Sequence, residues 1–377
     1  MSVEIRDISD LRGLKDFVDF PHIMYRGNAY YVPALRTDEL NTLRRDRNPA
    51  FEFCRAKYWM AYKDGKPAGR VAGIINLRHI EKWDQPYARF GWLDFVDDRE
   101  VLGALTGAVE KWARGNGMKA VHGPLGFTDL DREGMLVDGF DELGTLAAIY
   151  NHPYYPSALE HAGYVGDTDW VEYEIKVPKK GIEKIRMLAE KVQKRYELRF
   201  LEVSSKREML PYAVQLFELL DEAYSHLYGV TPLSREQMDA YVKQYFGFLS
   251  PDFVPVVLDA DGGMVAFGIA MPSLSRALQK SRGRLFPFGF IRLLRAMKNN
   301  DKGDLYLVAV KPEYQGRGVN AMLINRMIET FNRFGIRTVE SNPELADNLQ
   351  VQAQWKHFEH RLHKRRRCYI KYLDQVE

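Results

Sequence analysis

Residues 304–331 read DLYLVAVKPEYQGRGVNAMLINRMIETF, and the fold is decided by how this stretch is parsed. Leu305–Val310 is a β-rich run, Pro312 opens a turn, and Gln315-Gly316-Arg317-Gly318 leads straight into a segment that is apolar at helical spacing as far as Phe334. Glycines there let the backbone approach a ligand closely, and the free N–H groups of a helix start lie at the positive end of its dipole. With Arg317 in the same turn, the arrangement suits a pyrophosphate.

Working outward, the elements around this loop have counterparts earlier in the chain. VEIRDI (3–8) and LRFLEV (198–203) are short strands, each followed by a helical stretch. Hairpin signals follow in YWMAYKDGKPAGRVAGIIN and in VPVVLDADGGMVAFGIAM, each with a Gly-containing turn. A strand–helix–strand unit comes next in both places (RFGWLDFV to KAVHGPL, and DLYLVAV to RTVESN), then a helix and a strand. The order strand, helix, hairpin, strand–helix–strand, helix, strand therefore occurs twice, with the charged segment PKKGIEKIRMLAEKVQKRYE between the copies. The expected division is a first domain over 1–178, a connecting helix over 179–197 and a second domain over 198–377.

Composition bounds the rest. A chain of 377 residues is long enough for two or three domains, and 54 Lys+Arg against 51 Asp+Glu excludes a strongly basic nucleic-acid binder by bulk charge, so no DNA partner is expected. Two cysteines, Cys54 and Cys368, cannot build a disulfide framework, and the charged N-terminal sequence has no apolar core of a signal peptide. A cytoplasmic, reducing location and no spanning helix are expected.

Val308-Ala309-Val310-Lys311-Pro312-Glu313-Tyr314-Gln315-Gly316-Arg317-Gly318-Val319 resembles the fourth strand and acyl-CoA pyrophosphate loop of the GNAT superfamily of N-acetyltransferases. The resemblance implies an α/β (α+β) fold of two tandem GNAT-like domains, each a mixed, centrally splayed β-sheet flanked by helices. It implies that the amides of Gly316, Arg317, Gly318, Val319 and Asn320 hold the pyrophosphate, with Gln315 in the same binding loop, and that main-chain groups around Val308 to Val310 pair with the pantetheine arm. Acetyl-CoA is the default co-substrate. The family's final Gly/Ala falls on Asn320, which departs from the pattern. The family's downstream Asn corresponds to Asn348, whereas its acid-competent Tyr is replaced by Trp355, whose indole N–H cannot protonate a thiolate. In the first copy the loop position reads Asp97-Asp98-Arg99-Glu100, where carboxylates repel a pyrophosphate, so that copy is expected to be degenerate.

The reaction so implied needs a group to take the ammonium proton and another to protonate the thiolate. Glu340, at the end of RTVESN, is the candidate relay carboxylate, otherwise a solvated strand-end residue; Tyr306 and His226, with Tyr224, are further candidates, residue types that in such places more often pack or lie on the surface. The glycine-rich acidic loop from His122 to Glu142 reads either as a cleft lining for a cationic amine or as a solvated loop; Phe140 at the twelfth position rules out a calcium loop. Between Leu274 and Lys298 lie seven Lys/Arg and no Asp or Glu, interleaved with aromatic and aliphatic residues, read as a packed helix with membrane-surface contact as the alternative. HRLHKRRR (360–367) reads as a charged connection before a last strand, CYIKYL. His357, His360 and His363 are spaced three apart amid basic residues, so no metal is expected. The acceptor stays open between a small-molecule and a peptide amine, and so does oligomeric state. A Fem-like aminoacyl-tRNA-dependent transferase and a non-catalytic CoA-binding scaffold are the alternative functions.

Overall fold

A computed structural model describes residues 2–373. The first half supplies β1 (Val3–Ile8), β2 (Cys54–Lys63), β3 (Lys66–Asn76), β4 (Tyr87–Phe95), β5 (Ala120–Gly123), β6 (Met135–Asp138) and β7 (Val165–Lys176). The second supplies β8 (Arg199–Phe200), β9 (Val256–Leu258), β10 (Met264–Pro272), β11 (Lys302–Val310), β12 (Thr338–Glu340), β13 (Glu344–Leu345) and β14 (His360–Tyr372). Among the described residues these form one sheet, ordered β1-β2-β3-β4-β5-β14-β7-β12-β11-β10-β9-β8, with β13 beside β7 and β6 beside β14. The two runs of elements meet nearly end to end, which is the repeat read in the sequence.

At the centre the halves exchange strands. β14, the last strand of the chain, lies between β5 and β7 of the first half, and β7 lies between β14 and β12 of the second. The helix Glu183–Arg195 bridges the halves in sequence and packs against the helix Val319–Phe334. Apolar positions of the latter (Val319, Met322, Leu323, Met327, Ile328, Phe331) are buried, and a left-handed Gly335 terminates it.

The basic run 360–367 is part of β14 and is no connection, a correction to the sequence reading. Its charges are compatible with a strand because carboxylates face them. Arg366 pairs with Glu172 in the fully buried interior, Lys364 bonds Glu340 and lies 3.7 Å from Glu172, and Arg367 and Arg365 both reach Asp169 at 2.7 and 3.1 Å. Arg361 spans Glu142 and Glu174 at 2.6 and 2.9 Å. The register shift between Leu362 and Lys364 leaves His363 as the extra residue of a bulge, where it is buried while His360 is exposed. No helix of the described residues is long and apolar enough to cross a membrane.

Removing one partner of a buried pair leaves the other charge uncompensated, at a cost of about 3–5 kcal/mol. Glu172→Ala is therefore expected to lower the urea midpoint far more than Asp169→Ala, whose partners reach solvent. Equal, small shifts in the two variants would show that the central ladder stands without the buried array.

Candidate functional site

β11 pairs with β12 only at Lys302–Thr338, Gly303–Val339 and Asp304–Glu340, after which the two parallel strands diverge. Beyond that point β11 pairs only with β10, and the register jump from Ile269–Leu307 to Ala270–Leu305 leaves Tyr306 as the extra residue of a bulge. The β11 edge that faces the opening carries Val308, whose carbonyl accepts a 2.9 Å bond from the Tyr224 hydroxyl.

The strand then turns through Pro312–Tyr314 into Gln315–Gly318. Gln315 Nε2 ties the turn back to the Val310 carbonyl at 3.0 Å. Gly316 and Gly318 have φ of 70° and 85°, a region that side chains rarely enter, and Gly318 is the N-cap of the helix. A Cβ on Gly318 would stand 3.2 Å from Val192 of the bridging helix. Gln315, Gly316, Arg317 and Asn320 are exposed and Val319 is buried, so the loop offers first-turn N–H groups to solvent. The Arg317 guanidinium lies over the rings of Tyr196 and Tyr314. Asn348 caps the short helix Leu349–Gln352, its side chain accepting from Val351 N.

The first half differs at the matching place. β4 and β5 also diverge after three pairs, ending at Arg89–His122, but Leu125 N there donates to Phe90 O at 2.9 Å. Backbone follows so closely that a Cβ on Gly91 would meet Leu125 O at 2.5 Å. The first opening is filled by its own chain. Asp98, in the loop at the matching place, caps the helix Arg99–Gly115 and pairs with Lys63.

Between the halves, beside the β11 edge, lies a cavity of about 390 Å³. Its apolar walls come from both halves, with Leu216, Phe217 and Leu220 on one side, Tyr241 and Tyr245 above, and Leu35, Trp92 and Leu146 from the first half. Tyr306 and Leu307 of β11 open onto it, as do Asp129, Asp131 and Glu133 of the acidic loop. That loop is thus a cleft lining, not a solvated turn. Asp94 and Glu39 are neutralised by Arg70 at 2.8 and 3.2 Å, and Asp131 accepts from Phe127 N and Thr128 N. Asp129 is different: its Oδ1 is buried without a hydrogen-bond partner. Burial raises the Asp129 carboxyl to about 6, and burial followed by the nearby Asp129 charge pushes Glu133 well above the ordinary range. In the sequence both acids stand out only as members of the rejected calcium pattern and of a glycine-rich acidic loop longer than a connection requires.

The sequence-chosen catalytic groups separate. His226 is exposed and does not line the cavity. Glu340 is engaged: burial opposes its ionisation, but the Lys364 charge, with His363, prevails and holds it at about 2, so it makes a weak proton acceptor. Tyr306 does line the cavity, and its hydroxyl donates to Asp304 Oδ2 at 3.4 Å. Burial, reinforced by the Glu340 charge, raises Asp304 to about 7. Trp355 Nε1 donates to Glu344 at 2.9 Å, and burial brings that carboxyl to about 7, close to the pH at which an acid can give up a proton. Glu172, Glu340 and His363 also converge at ligating distances, but the Lys364 ammonium already stands between the two carboxylates.

Asp304 holds its proton more tightly folded than unfolded, so its contribution to stability is present below the unfolded value of 3.8 and is lost as pH rises toward about 7. Asp304→Asn, which stays neutral, is expected to gain on wild type across that window by a few kcal/mol, at about 1.4 kcal/mol per unit. Denaturant titrations at pH 5 and pH 8 read this directly. A gap that does not widen with pH would refute the raised value.

Residues 214–358 match the sequence pattern of the Acetyltransferase (GNAT) family. Protein YghO of Escherichia coli (strain K12) is 26% identical over 98% of this chain and 95% of its own. A bacterial ceramide synthase of Caulobacter vibrioides (strain NA1000 / CB15N) is 24% identical over 80% of this chain and 79% of its own. Among solved structures, a tandem GNAT protein from the clavulanic acid biosynthesis pathway superposes over the whole of both chains with a TM-score of 0.58 at 12% identity. A GCN5-related N-acetyltransferase from Sphaerobacter thermophilus covers 98% of this chain and 95% of its own, with a TM-score of 0.53 at 12% identity. The open strand pair, the glycine turn and the family match coincide in the second half, and over its whole length the chain has the fold of the tandem GNAT structure.

Proposed function

We propose that the chain is an acyl-CoA-dependent N-acyltransferase whose acyl group is longer than acetyl. The observation that carries this reading is the cavity of about 390 Å³ alongside Tyr306 and Leu307 of β11, apolar over most of its wall and far larger than a two-carbon acyl group needs. The relative described as a ceramide synthase supports it, since a ceramide is the amide of a fatty acid with a long-chain amine.

In this reading the turn Gln315–Asn320 holds the pyrophosphate through backbone N–H groups, with Arg317 adding charge. Val308 and Val310 offer main-chain partners to the pantetheine arm, and the Asn348 side chain borders its far end. A backbone N–H near Val310 polarises the thioester carbonyl. The acceptor arrives as an ammonium ion, for which the uncompensated Asp129 carboxylate is the electrostatic complement. Asp129, at about 6, is ionised at neutral pH and takes one ammonium proton. The neutral nitrogen then attacks the carbonyl carbon, the C–N bond forms, the C–S bond breaks, and the sulfur leaves as thiolate. Glu344, at about 7, is a proton source for the thiolate, a role that Trp355 cannot fill. The second proton on nitrogen is lost to solvent as the amide forms.

The test is calorimetric titration of acetyl-CoA and dodecanoyl-CoA into wild type, Gly318→Glu and Asp129→Asn, followed by thiol release with a long-chain amine. One site per chain, tighter for dodecanoyl-CoA, is expected in wild type and Asp129→Asn. In Gly318→Glu a strained side chain and a carboxylate facing the pyrophosphate should abolish it. Asp129→Asn should bind the donor normally yet turn over at least roughly 100-fold more slowly. Absence of binding by wild type, or equal affinity for both donors, would overturn the reading.

A further inference from the structure

The segment 274–298 forms a helical pair, Ser275–Ser281 and Gly289–Lys298, standing between β10 and β11 in the chain. Its inner face is committed. Leu274, Leu278 and Leu293 are buried against Val32, Leu35 and Met271, and the same three leucines line the central cavity. Gln279 Nε2 fastens the pair to the first half through the Ala29 and Tyr31 carbonyls at 2.9 and 3.0 Å.

The outer face is not covered. Phe286, Phe288, Phe290 and Leu294 are 76, 65, 41 and 53% exposed. Phe286 and Phe290 lie ring to ring at 5.9 Å, and Phe290 and Leu294 share one helix face. Four large apolar side chains gathered within nine residues differ from the single exposed residues that any surface carries. Around them stand Arg276, Lys280, Arg282, Arg284, Arg292, Arg295 and Lys298, all exposed. Among the described residues none of the seven comes within 4.0 Å of a carboxylate. The segment has no acid of its own. The cations along β14 are paired with carboxylates, whereas here seven cations without a carboxylate partner surround exposed aromatic rings.

We propose that this helical pair docks the protein on an anionic phospholipid surface. The phenylalanines enter the interface between headgroups and acyl chains, and the seven cations meet the phosphates. An acidic protein would satisfy the cations but would leave the four apolar side chains facing a polar partner; a lipid surface satisfies both. The same two helices present their inner leucines to the cavity, so docking brings the cavity wall against the bilayer. The inference stands on the surface itself and is independent of the reaction assigned to the cavity.

Co-sedimentation with vesicles, read without any acyl-CoA, tests it apart from the enzymatic reading. Full-length protein is expected to pellet with phosphatidylcholine–phosphatidylglycerol vesicles, weakly with phosphatidylcholine alone, and less as salt is added. The triple variant Phe286→Ser, Phe288→Ser, Phe290→Ser should bind at least roughly tenfold more weakly. Arg292→Glu with Arg295→Glu should lose the preference for the anionic vesicles. All five side chains are exposed, so circular dichroism spectra matching wild type are expected and separate lost binding from lost folding. No binding of wild type to anionic vesicles, or binding unchanged in the phenylalanine variant, overturns the proposal. Retention on an acidic protein without vesicle binding overturns it equally.

Discussion

The buried array Glu172, Arg366, Lys364 and Glu340 is the constraint on which the remainder of the structure depends. Each charge comes from a strand that crosses between halves or lies beside one that does: Glu172 from β7, Lys364 and Arg366 from β14, Glu340 from β12. Ions cannot be left unpaired in so dry a place, so β7 and β14 are stabilised only in the register that brings Glu172 opposite Lys364. That register fixes where β12 lies, hence where β11 begins to diverge from it. The opening in the second half is therefore set by a charge pattern that starts at its edge, where Glu340 pairs with Asp304, and runs through β7 to β14.

The repeat makes the departures between halves informative. Arg89 and His122 close the last β4–β5 pair, where Asp304 and Glu340 close the last β11–β12 pair. His122, Asp167 and Cys368 cluster beside the last β4–β5 pair just as Glu340, His363 and Glu172 cluster beside the last β11–β12 pair. Their chemistry has diverged. In the first cluster Tyr228, reaching over from the second half, meets His122 Nδ1 at 3.2 Å and Cys368 Sγ at 3.4 Å. Burial keeps the His122 ring neutral and pushes the Cys368 thiol up, so neither is prepared to react. With Leu125 filling the adjacent opening, the β4–β5 divergence leaves no gap like the one beside β11.

Local features were legible in the sequence, and features made by the meeting of distant strands were not. Gln315–Gly318 could be read because a glycine turn before a helix has the same physical meaning in isolation as in the fold. The hairpin turn Asp64-Gly65, both residues at positive φ, is of the same kind. The run 360–367 was misread because eight mostly charged residues look solvated until Glu142, Asp169, Glu172, Glu174 and Glu340 are supplied by other parts of the chain. Glu340 looked available as a relay for the same reason: its engagement by Lys364 is a contact across 24 residues of sequence. His226, chosen for its residue type on a promising helix, lies just past the helix end at Tyr224 and faces solvent, whereas Tyr224 itself reaches Val308.

What the closed half retains is its acidic loop. Because Leu125 runs along Phe90, the following residues are carried away from their own opening and across to the cavity of the other half, where Asp129, Asp131 and Glu133 emerge. Gly126 permits this turn, since Asp131 folds back so that its Cβ would lie 2.2 Å from any side chain there. The same segment thus fills the first opening at Leu125 and brings its carboxylates to the cavity. The filling of one opening and the furnishing of the other are one structural arrangement, and the exchanged strands β7 and β14 hold the two halves at the separation that it requires.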